Sequence, residues 1–513
     1  MDPVAVIGAG PVGLTAALLL ARWGLPVIVL ERRAVRDTTG SRSICQQRDV
    51  LDVWATVGAG AVADEGLTWT TARTFYRDRE LSSWSFTARG ALPPFVNISQ
   101  ARTEEILGDL AAAEALIDVR RGHDVTGLSQ DEEGVTLRCA NGAVVRASHV
   151  VACAGAHGSA VRGELGVGFG GRAFGDEFLI CDIRAELPGW ETERRFYFDP
   201  VWNPGRQVLI HPCPDSTYRI DWQVPPGFDL ATEEAGGGLD RRVRQIIGAV
   251  PHEIVWRSVY RFQSRIADRM RVGRVLLAGD CAHLVAPFGA RGLNSGVPDA
   301  ENAAWKIAFV ARGWAPVSLL ASYQDERHAA AAENRAVTDA TMRFLVPRSE
   351  AGRRARRETL EKAAGDPAAG GVDSGRFAEP YWYVDSSLTT PEPSRPFAGR
   401  PPRGQDPVPA PGVIVPDGPV PGRRGVRLRE VVRNGFTVLL SGSDHEPFAQ
   451  AARAATPAPV TVLGLEPGPL ADALRAVPGE AWLIRPDAHI AAVLPGATPE
   501  RLAAAVRRSL GYG

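Results

Sequence analysis

The stretch Arg274–Trp305, RVLLAGDCAHLVAPFGARGLNSGVPDAENAAW, decides how the rest of the chain is read. It opens with Val275-Leu276-Leu277-Ala278, an apolar run without alternation, which predicts a strand covered on both faces. The run ends at Gly279-Asp280, where small residues let the backbone approach a ligand and a carboxylate can accept hydrogen bonds from hydroxyls. A glycine-rich turn follows, from Gly289 through Gly292 to Gly296. Pro298-Asp299 then reads as a helix start, because proline suits the first turn and an acid complements the dipole there. The free amides of such a helix suit a delocalised anion. A crossover built only for packing needs neither the Gly-Asp pair nor the glycine turns, so the stretch reads as a ligand site.

Working outward, the N-terminal segment offers a second half to that site. Val4–Ile7 is a buried-strand run leading directly into Gly8-Ala9-Gly10-Pro11-Val12-Gly13. A helix is expected to about Trp23, then a strand from Val27 to Leu30 ending in Glu31. This is a βαβ unit with GxGxxG at its first turn and an acid about 20 residues further on. The first glycines permit a tight turn beside a pyrophosphate, the third lets helix and strand pack closely, and Glu31 suits a ribose diol. The pattern alone leaves FAD and NAD both open.

Composition narrows the class. A chain of 513 residues with a formal charge of -1 predicts several domains and argues against nucleic-acid or membrane-surface partners. Its six cysteines (Cys45, Cys139, Cys153, Cys181, Cys213, Cys281) form no CxxC pair and no disulfide-like framework. No metal site is expected. The early apolar run is interrupted by glycines and proline, so neither a signal peptide nor a membrane span is expected, and the setting reads as soluble and cytoplasmic.

Between these two motifs the texture changes. Arg42 precedes a helix carrying Arg48 and Asp52, and Gln100 opens another with Ile106, Leu107 and Leu110 at helical spacing. Val119 to Arg146 reads as strands with a hairpin at Asn141-Gly142. From about Arg172 to Gln263, strands rich in aromatics predict an inserted sheet lying over a pocket. Alternation places Tyr218, Ile220 and Trp222 on one face, and Arg219, Asp221 and Gln223 on the other. Beyond the long helices, Pro391 to Pro421 is proline-rich and is expected to lie extended along the surface. From about Val426 a separate α/β pattern begins.

Taken together, the first βαβ unit, the Gln100 helix, GDCAH with Pro287, and GLNSG-x-x-DAENAAWK resemble the para-hydroxybenzoate hydroxylase-like FAD-dependent monooxygenases. The closer likeness is to the phenol and polyketide hydroxylase branch, which carries a C-terminal thioredoxin-like domain. The implied architecture is α/β: a Rossmann-like FAD-binding domain with an inserted β-sheet substrate domain and a C-terminal thioredoxin-like domain. Its segments would be residues 1–171 (FAD-binding, first part), 172–264 (substrate sheet), 265–390 (FAD-binding, second part), 391–425 (linker) and 426–513 (thioredoxin-like). The last segment contains no cysteine, so thiol chemistry is excluded and packing or homodimer formation remains as its role.

Carried over by motif, the resemblance implies that Gly8, Gly10, Pro11, Val12 and Gly13 bind the FAD pyrophosphate and Glu31 the adenosine ribose. Arg42 and Gln100 would lie along the cofactor, with Arg32, Val125 and Pro287 among its contacts. Gly279-Asp280 would hold the ribityl chain, and Gly292, Leu293 and Asn294 the flavin ring. Candidate substrate contacts are His211, Tyr218, Asp221, Trp222, Tyr260 and Pro287, none of which can be assigned chemistry from sequence. The implied reaction uses NAD(P)H and O2 to hydroxylate a phenolic or polyketide-type aromatic small molecule through a C4a-hydroperoxyflavin, with a catalytic base that the sequence does not name. Other outcomes stay open: Baeyer–Villiger-type oxygen insertion, substrate oxidation, or a non-catalytic FAD-binding protein. Two departures stand out. The family's Asp-Gly pair before Ser159-Ala160-Val161-Arg162 is replaced by Gly155-Ala156, and Pro298 stands where relatives often carry glutamine.

Overall fold

The computed structural model describes residues 2–512 apart from 39, 41, 86–89, 367–376, 403–404, 421 and 443. The apolar runs read as strands come together in one six-stranded sheet, ordered Arg271–Val272, Val275–Leu277, His149–Ala152, Val4–Ile7, Val27–Glu31 and Ile117–Arg121. Every pairing is parallel except the Arg271–Val272 edge. Parallel strands need cover on both faces, which explains why Val4–Ile7 and Val275–Leu277 are apolar at every position and fully buried. The helices Pro11–Arg22 and Arg291–Ala311 supply part of that cover, and glycine sets how closely they approach. A Cβ on Gly296 would fall 2.7 Å from Val12 Cγ2 and 3.2 Å from Gly279 Cα.

One element differs from expectation. The helix of the organising stretch begins at Arg291, and Pro298 lies inside it at the eighth position. The glycines at 292 and 296 had read as loop, but both lie in the helix, and Gly296 is needed where it passes the Gly279 turn and Val12, whereas a Cβ on Gly292 would meet nothing within 4 Å. Pro298 removes one N–H from the helix without breaking it.

The aromatic-rich segment forms a seven-stranded sheet ordered His252–Tyr260, Glu177–Ala185, Thr217–Val224, Gln207–Cys213, Glu193–Phe198, Thr71–Tyr76 and Arg79–Ser85. The Thr71–Ser85 hairpin joins it through a parallel pairing of Thr71–Tyr76 with Glu193–Phe198. That pairing spans more than a hundred residues and left no local trace in the sequence. The Asn141-Gly142 turn closes the strands Val135–Cys139 and Val144–Ala147, as read.

The C-terminal segment is a four-stranded sheet ordered Val460–Gly464, Phe436–Leu440, Ala481–Ile484 and Ile490–Leu494, with the first pair parallel and the others antiparallel. This is the arrangement expected of a thioredoxin-like domain. Part of the proline-rich stretch does not lie on the surface: Ala410, Val413, Ile414, Val415 and Val420 are buried against Trp482, Ile484 and Ile490. The apolar PGVIV run within it outweighs its prolines. Among the described residues no helix is long and apolar enough to cross a membrane.

A buried polar ladder fastens this sheet to the long helices. Arg485 donates to Glu326 at 2.6 and 2.9 Å and to both oxygens of Asp487 at 3.0 and 2.5 Å. Lys306 Nζ donates to Glu326 at 2.7 Å, and Trp305 Nε1 to Asp487 at 3.2 Å. All these groups are essentially excluded from solvent. Removing one partner of a buried pair leaves an uncompensated charge, at a cost of about 3–5 kcal/mol. Arg485→Met should therefore lower the urea midpoint sharply or give insoluble protein. A variant unfolding at the wild-type midpoint would show that the ladder carries no net stability.

Candidate active site

The site is assembled from backbone turns first. Gly8 has φ +103° and a Cβ there would lie 2.5 Å from the Cys153 carbonyl oxygen, so only glycine fits. A Cβ on Gly13 would fall 2.0 Å from the Gly8 oxygen, which is the close strand–helix packing expected of the third glycine. Gly10 is different: a Cβ there would meet nothing within 4 Å, because it borders open space. The helix beginning at Pro11 has no side-chain cap, leaving its first amides free. Glu31 accepts from the Ala9 amide at 2.8 Å and the Arg33 amide at 2.9 Å, fixing its carboxylate beside the turn. Gln100 accepts from Ser43 N at 2.9 Å and donates to Glu104 at 2.7 Å.

Opposite this arm, Gly279 adopts φ +59° and its amide donates to Asp299 Oδ2 at 3.0 Å. Asp280 is thereby turned into open space while lying deep in the protein. Desolvation raises its carboxyl pKa, opposed by His283 and Arg42. Asn294 accepts from Gln47 N at 2.8 Å and donates to Cys45 O at 2.8 Å, pinning the start of the Arg291–Ala311 helix. Ala290, just before it, is held at φ +56°, and the helix again lacks a side-chain cap.

One cavity of about 540 Å³ joins the two arms. It is bordered by Gly8, Gly10, Pro11, Val12, Gly13, Glu31, Arg32, Arg42, Gln100, Val125, Asp280, Pro287, Gly292 and Leu293, as the sequence motifs anticipated. Gly279 and Asn294 build the wall without lining it. The Gly155–His157 turn also borders the cavity, with no carboxylate among Gly155, Ala156, His157 and Gly158.

The far end of the cavity runs under the seven-stranded sheet. Of the substrate candidates, His211, Asp221, Tyr260 and Pro287 border it. Tyr218 and Trp222 do not: they face the other way, packed with Leu239, Val243 and Ile247 of the helix Gly238–Ile247. Alternation had separated the faces correctly, but which one meets a cavity depends on the helix covering the other. Arg194, Gln207 and Arg219 also border the cavity and went unassigned from sequence, although alternation already placed Arg219 beside Asp221. Aromatic rings adjoin this face: Phe178, on the sheet itself, stacks with Phe262 at 4.4 Å between centroids, and Phe288 lies edge-on to both at 5.6 and 6.1 Å.

Charge is unevenly managed on this sheet face. Arg219 forms a two-pronged pair with Asp182 at 2.7 and 2.9 Å and donates to the Arg42 carbonyl at 3.1 Å. Burial, then the Arg194 and Arg219 guanidiniums, pushes the His211 imidazole pKa well below its usual value, so it is neutral. Asp221 is pushed up to about 7 by burial, against the pull of Arg219. The buried atoms His211 Nδ1 and Asp221 Oδ1 have no hydrogen-bond partner among the described residues.

Comparison with known proteins agrees with this geometry. Residues 1–338 match the FAD binding domain family, and residues 408–512 match the aromatic-ring hydroxylase C-terminal family. The chain is 33% identical over 370 residues to a rifampicin monooxygenase of Streptomyces venezuelae, covering 70% of this chain and 76% of that one. It is 31% identical over 339 residues to a 3-(3-hydroxy-phenyl)propionate/3-hydroxycinnamic acid hydroxylase of Comamonas testosteroni, covering 63% of this chain and 55% of that one. Its fold is that of the flavin-dependent monooxygenase PieE, solved with FAD and substrate: TM-score 0.83, 24% identity, 99% of both chains covered. With two uncapped helix ends, a glycine-lined arm and an aromatic pocket on one cavity, and with these matches over most of its length, the chain belongs to the FAD-dependent aromatic-ring hydroxylases.

Proposed function

We propose that the protein holds FAD along the glycine-lined arm and hydroxylates a phenolic aromatic compound bound against the sheet face, with NAD(P)H as reductant and O2 as oxygen source. The observation that carries this reading is the continuity of one cavity from the Gly8–Gly13 turn, past Asp280 and Pro287, to the polar sheet face and its aromatic cover. The first arm fits FAD on physical grounds. Space beside Gly10 and the free amides of Val12 and Gly13 suit a pyrophosphate. Glu31 suits a ribose diol, and Asp280 suits the hydroxyls of a ribityl chain. When bound, FAD supplies the redox chemistry, accepting hydride from the nicotinamide and activating O2 for transfer to the ring.

The chain's own residues bind, orient and exclude water. Gly292 and Leu293, at the uncapped end of the Arg291–Ala311 helix, offer N–H donors and the positive end of a dipole to negative charge on the cofactor. Phe178, Phe262 and Phe288 provide apolar cover for a flat ring. A cleft of about 410 Å³ opens beside the cavity, sharing Ala156, Gln263 and Leu284 with it and bordered by Arg162, Phe169 and Arg265. Arg162 lies over the Phe169 ring at 3.9 Å and donates to the Cys281 carbonyl, while Arg265 donates to Gln263 and the Phe169 carbonyl. Two guanidiniums that meet no carboxylate among the described residues suit the phosphates of the dinucleotide reductant.

A charge-assisted hydrogen bond contributes about 1.5–3 kcal/mol. Asp280→Ala should therefore weaken FAD binding by roughly ten- to a hundredfold, read as flavin lost on dialysis of dilute protein. Full retention of flavin would remove Asp280 from the cofactor contacts. With no carboxylate at Gly155-Ala156, reduction by NAD(P)H should be slow until an aromatic ligand is bound. Anaerobic mixing with NADPH or NADH checks this by the rate of flavin bleaching, and rapid bleaching without any ligand counts against it. Oxygen from labelled O2 appearing in a hydroxylated phenol tests the reaction itself, and its absence with a bleachable flavin would overturn the hydroxylase reading.

A further inference from the structure

The sheet face holds a carboxylate whose surroundings are arranged for proton transfer and not for stability. Asp221 sits in the middle of the face. Its cross-strand neighbours are Leu209 on one side and Ile180 on the other, both apolar. Along its own strand lies Arg219, already committed to Asp182. His211 pairs across from Arg219, so it is the diagonal neighbour of Asp221, and Arg194 follows one step beyond the Arg195–Ile210 pair. Among the described residues, no hydrogen bond reaches the buried Oδ1 of Asp221 or the buried Nδ1 of His211. Two unsatisfied polar groups side by side in the wall of a cavity are costly unless a ligand completes them.

We propose that Asp221 is the general base that removes the ring hydroxyl proton of a phenolic substrate, and that neutral His211 orients that same hydroxyl. The inference rests on reading this end of the cavity as the aromatic-substrate site. In the step, the phenol O–H bond breaks and an O–H bond forms on the Asp221 carboxylate. The electron pair stays on the phenol oxygen and enriches the ring for attack on an electrophilic oxygen. No further reactant is needed. Substrates are thereby restricted to aromatics that present an ionisable hydroxyl to the Leu209–Asp221–Ile180 row while the ring packs on Phe178, Phe262 and Phe288.

The electrostatics agree with this assignment. The charged or titratable groups facing Asp221 are Arg219 with its partner Asp182, Arg194, His211 and Tyr260. The guanidiniums stay cationic, His211 stays neutral, and burial raises the Tyr260 hydroxyl. Asp221, at about 7, is thus the member of the group that changes state near neutrality. A base is competent when ionised, so activity should rise with pH through about 7 and fall below it. A base with a pKa near the working pH is the efficient choice.

The test uses FAD-loaded protein with resorcinol, 1-naphthol and the non-ionisable 1-methoxynaphthalene, following NADPH oxidation and hydroxylated product. Asp221→Asn should lower kcat/KM for 1-naphthol about a hundredfold at neutral pH. The gap should narrow as pH approaches the naphthol's own ionisation, because a substrate already ionised needs no base. Asp221→Glu should recover part of the loss. Flavin content and 1-naphthol binding, read as perturbation of the flavin spectrum, should stay close to wild type. 1-Methoxynaphthalene should bind without being hydroxylated by either protein. An Asn variant within about threefold of wild type at every pH, or a deficit that does not change with pH, would overturn the assignment. If no phenol stimulates NADPH oxidation in the wild type, the hydroxylase reading falls, and this one with it. An active wild type with a pH-insensitive Asn variant removes Asp221 alone.

Discussion

The structure depends on a run of buried charge that crosses from the flavin-binding half to the C-terminal sheet. Asp299, fully buried, accepts from Arg327 Nε at 2.6 Å, pairs with His283 Nε2 at 2.7 Å and accepts from the Gly279 amide at 3.0 Å. Arg327 passes on to the Tyr383 hydroxyl at 2.9 Å, and Asn302 lies between Glu326 at 2.8 Å and Asp487 at 3.3 Å. Glu326 and Asp487 then share Arg485. Isolated ions in such a place would each cost several kcal/mol. Here each carboxylate meets at least one cation, and the remaining lone pairs are taken up by amide, hydroxyl and indole donors. Burial opposes their ionisation, but the neighbouring cations and the hydrogen bonds they receive outweigh it, so the Asp299, Glu326 and Asp487 carboxyls titrate below their usual range.

This ladder gives the DAENAAWK run a physical reading. Asp299, Asn302, Trp305 and Lys306 recur at helical spacing, so they project from one side of a single helix. Asp299 reaches back to the Gly279 turn, and the other three reach forward to Glu326 and Asp487. One helix therefore fixes the turn that presents Asp280 to the cavity and, a little further along, receives the C-terminal sheet. The geometry of the cofactor arm is set by contacts well outside it.

What was legible in sequence follows from this division. The strands Val4–Ile7 and Val275–Leu277 were readable because full burial leaves an unbroken apolar run, and the Gly8–Gly13 turn because two of its glycines are sterically obligatory. The start of the Arg291–Ala311 helix was not, because Gly296 serves packing against Val12 and Gly279, a contact between residues far apart in the chain. The sheet's two faces could be separated by alternation, yet Tyr218 and Trp222 were named as candidates beside Asp221 while Arg219 was not. Only the helix Gly238–Ile247, covering one face, decides which residues meet the cavity. Arg194 and Gln207 were invisible for the same reason: a polar residue in a strand carries no mark of the ligand space above it.

The same physics explains why a thioredoxin-like fold persists here without a single thiol. Its inner surface is not a separate core. Phe436, Val438 and Leu440 pack in one cluster with Trp305, Phe309, Ala315 and Leu319 of the flavin-binding half. Phe309 alone meets Trp23, Trp305, Trp314 and Phe436 edge to face at 5.3 to 5.9 Å. Arg427 and Arg429 close the rim on Asp49 and Asp52, and Arg433 closes it on Glu301. Without the C-terminal sheet, Lys306 and Glu326 would have to be hydrated or neutralised, and the apolar faces of the Trp305 and Phe309 rings would meet water. Once a domain supplies both the apolar cover and the counter-charge for its neighbour, thiol chemistry is dispensable while the fold is not.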